Sequence, residues 1–231
     1  MVQVRRGDVV AGGLELLDTD GLEALTTRKL AAHLGLQAGS LYWHFPSKQA
    51  LLEAMADQLI AGIGAPPTGG TWDETLAAFA RALRRALLSR RDGARVVAGS
   101  YVTERNTVAV SRTWVQAIHE RGLGLDDAVR AGFAVFNFVL GHVIEEQGMA
   151  ELTAEQQTAK SQVVLPDTGQ PDAVTTAIVN AILADPDERF EFGLDLYLDG
   201  LRQRQRSIPA PALRRTAAPD AARPPVQKKA D

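Results

Sequence analysis

Residues 35–48, Gly-Leu-Gln-Ala-Gly-Ser-Leu-Tyr-Trp-His-Phe-Pro-Ser-Lys, set Tyr42, Trp43, His44 and Phe45 side by side in a chain where 6% of residues are aromatic. Just upstream, Thr26 can cap a short helix over residues 27–34 that Gly35 closes, since glycine enters the left-handed conformation at no steric cost. A second short helix is predicted over residues 38–44 and is stopped by Pro46. Leu30, Leu34, Leu41 and Phe45 face inward, and Leu41 and Phe45, four apart, share one helix face. Two short helices across a glycine turn make a helix-turn-helix. The outer faces then carry Ser40, Tyr42, Trp43 and His44, which are poor core material. They suit a DNA major groove, where Tyr and His hydrogen-bond phosphates or base edges and flat rings pack on sugars and thymine methyls. Arg28 and Lys48 flank them and can neutralise phosphates.

Outward from this point the chain reads as all-α, because helix punctuation recurs and strand alternation is nearly absent. A first helix is predicted over residues 5–18, with Val9, Val10, Leu14 and Leu17 on one face. Ser47 caps a longer helix to residue 63. A loop over residues 65–70 separates this head from the rest. Thr71 and Glu74 form a capping box that opens a helix to residue 89. Further helices are expected at residues 92–98, 103–121, 126–147 and 173–183. Asp185-Pro186-Asp187-Glu188 starts a last helix running to residue 206. The polar segment over residues 149–172 reads as mobile. Residues 207–231, rich in Pro, Ala and charge, read as a disordered tail. The domains expected are a DNA-binding head over residues 1–47 and a ligand-binding and dimerisation domain over residues 48–206, with residues 48–63 as connecting helix.

Composition narrows the chemistry. The 231 residues are 45% hydrophobic and 23% charged, which are globular values with ample material for a core. There is no run of about 18 apolar residues and no signal-peptide layout, so a cytoplasmic protein with no membrane partner is expected. The absence of Cys removes disulfides, thiol nucleophiles and thiolate metal sites, and four scattered His offer no zinc cage. No phosphate loop, nucleophile elbow or His-Glu-x-x-His run occurs, and Glu145 and Glu146 point apart on a helix, so no catalytic residues and no enzyme are expected. The net charge of -3 is compatible with one basic face on an acidic protein.

Leu-Thr-Thr-Arg-Lys-Leu-Ala-Ala-His-Leu-Gly-Leu over residues 25–36, followed by residues 40–45 and 48–52, resembles the head of the tetracycline-repressor (TetR) family. Residues 86–96, 103–104, 140–141, 145–147 and 192–194 resemble the tetracycline repressor subgroup in particular, and the similarity spans about residues 5–204. The resemblance implies a homodimer that binds a palindromic operator as a repressor and releases it when a small molecule enters the larger domain. It assigns DNA contacts to Thr27, Arg28, Ala38, Gly39, Ser40, Tyr42, Trp43, His44 and Lys48. Ala38 and Gly39 lack the polar or rigid side chains of the subgroup, which implies a different operator.

Tetracycline repressors hold a magnesium-drug chelate through histidines and an asparagine. The matching positions here are Gly64 or a neighbour, Phe79 and Val97, so neither a metal nor another cofactor is expected. The resemblance places the ligand among Phe79, Leu83, Val97, Ser100, Tyr101, Thr113, Val129, Phe133, Phe136, Asn137, His142 and Glu145. That mixture fits a flat, largely hydrophobic or aromatic effector, an antibiotic or natural product. Glu145, His142 and Asn137 rank first, because a polar group on an apolar helix needs a partner. The dimer follows independently from apolar surface on two sides of the last helix and most sides of residues 126–147, more than one neighbouring helix covers. The alternative reading is a DNA-binding regulator or activator that answers to no small molecule, or to a protein partner, and a closed core in the large domain would favour it.

Overall fold

Four helix starts read from the sequence carry their expected hydrogen bonds in the computed structural model, which describes residues 4–100, 104–153, 155–156, 159 and 172–207. Thr26 accepts from Lys29 N, Ser47 from Ala50 N, Thr71 and Glu74 close a reciprocal box, and Asp185 accepts from Asp187 N. Each satisfies an N–H that the first turn of a helix leaves unpaired. The ten helices among the described residues are α1 Arg6–Asp20, α2 Thr27–His33, α3 Ala38–Leu41, α4 Lys48–Ala61, α5 Trp72–Leu88, α6 Gly93–Ala98, α7 Arg105–Glu120, α8 Leu125–Ala150, α9 Ala173–Leu183 and α10 Pro186–Ser207. Two lengths differ from expectation. The recognition element is one turn of helix, with residues 42–44 continuing as a turn, and α8 extends to Ala150. Of the segment expected to be mobile, residues 149–150 belong to α8, and residues 154, 157–158 and 160–171 lie outside the described residues, as does the tail beyond residue 207.

In the head, α1 packs on α2 and α4, and α2 on α3. Val9, Leu17, Leu25, Leu30, Leu41 and Phe45 are buried at this junction. In the larger part, α5 packs on α6, α7, α8 and α10. The buried stripe of α8 is Ala128, Ala131, Val135, Val139 and Val143, small residues at helical spacing that let Leu76, Leu83 and Leu87 of α5 come close. By length and composition α8 could cross a membrane. One stripe of it packs on α5.

Two junctions join the parts. One is α4, which packs on α1 of the head and on α6 and α7 of the core. The other is polar. Asp92, buried and left-handed at φ 54°, accepts from Leu22 N at 2.7 Å and pairs with Arg95 at 2.9 Å. Asp18 pairs with Arg90 and accepts from Arg91 N at 3.1 Å.

Candidate DNA interface and internal cavity

The recognition turn separates its residues as the alternation of inward and outward positions demands. Leu41 and Phe45 are buried, whereas Tyr42 is 56% and Trp43 92% exposed. The Trp43 ring therefore does not pack into the head. Gly35 sits at φ +65° with open space around its missing side chain, so backbone conformation, not crowding, requires glycine there. Arg28, Gly39 and Lys48 are exposed, and Thr27, Ser40 and His44 are half-buried. Ala38 begins α3. Lys29, beside Arg28, is engaged with Asp20 at 3.0 Å.

One residue escaped the sequence reading. The Arg6 guanidinium lies 4.3 Å from the centre of the Phe45 ring and donates to the His44 carbonyl at 3.3 Å. It braces the end of the recognition turn from the first turn of α1, holding the segment that carries Tyr42 and Trp43. A contact across 38 residues leaves no local sequence signal.

Between α7 and α8 lies a cavity of ≈ 740 Å³. From α8 it is lined by Val129, Phe133, Phe136, Asn137 and Leu140, and from α7 by Thr107, Ser111, Trp114 and Ile118 among others. Phe79 of α5, Ile60 of α4, and Val97 and Ser100 at the end of α6 complete the wall. Phe79 and Trp114 meet at 5.4 Å between ring centres, and Trp114 Nε1 donates to Gly64 O at 2.9 Å. The polar atoms of the lining side chains come from Ser100, Thr107, Ser111, Asn137 and Trp114. Among the described residues, no carboxylate, imidazole or cationic side chain lines the cavity. The described residues therefore supply neither the carboxylate that commonly anchors magnesium nor the imidazoles that the resemblance implies for a magnesium-drug chelate.

Four expected ligand residues are corrected. Leu83 is fully buried in the hydrophobic core and does not line the cavity. Thr113 lies on the opposite side of α7, in a shallow groove with Pro66 and Arg112, its hydroxyl donating to Ala109 O. Glu145 is exposed on the outside of α8. His142 faces α10, with its ring 5.3 Å from that of Phe190 and its Nε2 3.2 Å from Pro186 O. Of the three residues ranked first, Asn137 lines the cavity together with Phe79, Phe133 and Phe136, whereas His142 and Glu145 do not. Tyr101 lies outside the described residues.

Burial pushes the His142 pKa below its usual 6.5, with the neighbouring Arg84 and Arg189 adding to the effect against an opposing pull from Glu146 and Pro186 O. A base whose pKa falls on folding binds fewer protons folded than unfolded, so stability rises with pH in the window below 6.5. The unfolding midpoint is expected to drop as pH is lowered from above 6.5 into that window, and His142→Gln is expected to flatten this part of the profile. An equal slope in both proteins contradicts this.

Residues 9–55 match the family model described as bacterial regulatory proteins, tetR family, and residues 64–205 match that of the tetracyclin repressor-like C-terminal domain. The chain is 34% identical over 203 residues to the class D tetracycline repressor protein of Escherichia coli, covering 87% of this chain and 90% of that protein. A possible TetR family transcriptional regulator from Streptomyces coelicolor A3(2) superposes with a TM-score of 0.76 at 40% identity, over 86% of this chain and 99% of that one. The Streptomyces coelicolor TetR family protein ActR, solved in complex with (S)-DNPA, superposes with a TM-score of 0.74 at 28% identity, over 88% and 99% of the two chains.

Proposed function

Because the chain belongs to the TetR family of bacterial regulatory proteins, whose members are DNA-binding transcription factors and not enzymes, we propose that it is a repressor that binds a palindromic operator as a homodimer in the cytoplasm. A small, uncharged, largely aromatic effector releases it. The observation that carries the effector reading is the ≈ 740 Å³ cavity, with no charged side chain among the described residues of its wall. A site lined by rings and aliphatic groups with a few hydroxyls and one amide accepts a flat apolar molecule oriented by two or three hydrogen bonds. An ionised ligand would lose its hydration with no counter-charge to replace it. The open cavity argues against the alternative of a regulator with no small-molecule effector.

The dimer is supported by apolar surface that the fold leaves uncovered. Phe192 and Leu196 on the outer face of α10 are 69% and 60% exposed, and Phe133 on α8 is 68% exposed. Covering each such side chain gains about 1.5–3 kcal/mol, far more than an exposed ion pair provides. Pairing α8 and α10 with their symmetry mates in a four-helix interface covers them. A two-fold axis then presents two recognition turns about 34–36 Å apart, one turn of DNA. The lever is α4, whose 14 residues span about 21 Å at 1.5 Å each. A ligand that prefers another placement of α4 changes the spacing between heads and so lowers operator affinity.

The test is a gel-shift titration on a duplex selected from the source genome, with a panel of neutral polycyclic aromatics and a chelator present. Release by at least one compound that binds the protein is expected without added metal. If every compound that binds the cavity leaves operator affinity unchanged, effector control is wrong even though the operator claim stands. If release requires magnesium, the metal-free reading is wrong.

A further inference from the structure

Asp57, on α4, is a buried residue with a relative exposure of 8%, and no cation pairs with its carboxylate among the described residues. Burying an unpaired carboxylate costs several kcal/mol unless hydrogen bonds compensate. Its hydrogen-bond partners among the described residues come from the first turn of α7. Oδ1 accepts from Thr107 N at 2.8 Å and from Thr107 Oγ1 at 2.9 Å, and Oδ2 accepts from Asn106 N at 3.4 Å. The unpaired N–H groups and positive end of a helix favour this placement. What is unusual is its source. The N-cap residue of α7, Glu104, makes no side-chain capping bond, so the start of α7 is capped by the lever.

Thr107 also lines the cavity, and so does Ile60, one turn along α4 from Asp57. Two turns further along α7, Trp114 stands in the cavity wall and donates to Gly64 O, just beyond the end of α4. The lever and the residue just beyond its end are therefore hydrogen-bonded to α7 at two heights. Its hydrogen bond to the end of α6, from Gln49 Nε2 to Gly99 O at 3.0 Å, lies near its foot.

We propose that the clasp between Asp57 and Thr107 is the element through which occupancy of the cavity reaches α4, with Asp57 and Thr107 as positioning residues. The inference rests on reading the cavity as the effector site. An occupant that displaces Thr107, or takes its hydroxyl, disrupts a set of bonds that fits one placement of α4. The energy transmitted is the difference in ligand affinity between the clasped and released placements.

The experiment uses the full-length protein, an operator duplex selected from the source genome, and the neutral fluorescent probe N-phenyl-1-naphthylamine. Probe affinity is measured with and without saturating duplex, for the wild type, Asp57→Asn and Thr107→Val. Saturating duplex is expected to weaken probe binding to the wild type about tenfold, and in both variants the factor is expected to fall to about threefold or less. In Asp57→Asn, whose side chain does not line the cavity, probe affinity without DNA and operator affinity without probe stay near wild type. Should both variants melt earlier yet keep the wild-type factor, the clasp is a helix cap only and the inference fails alone. Failure of the probe to bind the wild type, or binding with no effect of DNA, removes the effector reading and this inference with it.

Discussion

Replacing Trp43 by alanine is expected to weaken operator binding about 10- to 100-fold, the 1–3 kcal/mol range of a good groove contact. The unfolding midpoint is expected to stay where it is. The two halves of this expectation come from one observation, the 92% exposure of the ring. A side chain that touches little of its own protein contributes little to its stability, and surface substitutions shift folding by about 0.5 kcal/mol or less. A tryptophan left in water at the tip of a helix-turn-helix, beside a half-exposed tyrosine and two exposed cations, is placed for a partner. Arg28→Gln serves as the contrast. Loss of a phosphate contact weakens binding to operator and unrelated duplex alike and lowers the salt slope by about one, whereas Trp43→Ala acts mainly on the operator. Gel shifts at several salt concentrations with thermal melts separate these outcomes. A Trp43→Ala protein that melts several degrees lower, or binds operator as tightly as the wild type, contradicts the assignment.

Arg84→Ala is expected to cost about 3–5 kcal/mol of folding stability, the penalty for leaving a buried charge without its partner. Arg84 and Glu146 form a two-bond pair at 3.0 and 2.8 Å with side chains 12% and 16% exposed, and Arg84 also reaches Asp187 at 2.6 Å. Its guanidinium lies 4.9 Å from the centre of the Phe190 ring. One side chain thus ties α5 to α8 and α10, the helices assigned to the dimer. The hydrogen bond to Glu146 and the two acidic neighbours raise the Arg84 pKa, so it stays charged throughout the accessible pH range. Removing both charges with apolar residues of similar size, Arg84→Met with Glu146→Leu, is expected to recover most of the loss, because the cost lies in the stranded carboxylate. Chemical denaturation of the three proteins measures this. A double variant as unstable as Arg84→Ala shows that the geometry of the pair, not its charge balance, is what the fold requires.

What the sequence disclosed follows the range of the interactions involved. Thr26, Ser47, Thr71 and Asp185 bond to groups two or three residues away, so their helix starts were legible. The burial of Leu41 and Phe45 followed from spacing alone. Errors began where a partner lay on another helix. His142 and Glu145 were assigned to the cavity because a polar group on an apolar helix needs a partner, yet His142 finds Pro186 O on α10 and Glu145 finds solvent. The brace from Arg6 to His44 and the clasp from Asp57 to Thr107 span 38 and 50 residues. Neither has a signature short enough to read along the chain. Phe133 and Phe136 came from resemblance, not periodicity, which could not say which face of α8 meets the cavity.

The central claim is that two copies of the recognition turn, related by a two-fold axis, read duplex DNA. It is tested most directly by selecting bound fragments from a random duplex pool and footprinting the enriched sequence. Two inverted half-sites with centres one helical turn apart, protected by two protomers per duplex, are the result this account predicts. Enrichment of no sequence, or protection of a single half-site by one protomer, would contradict it.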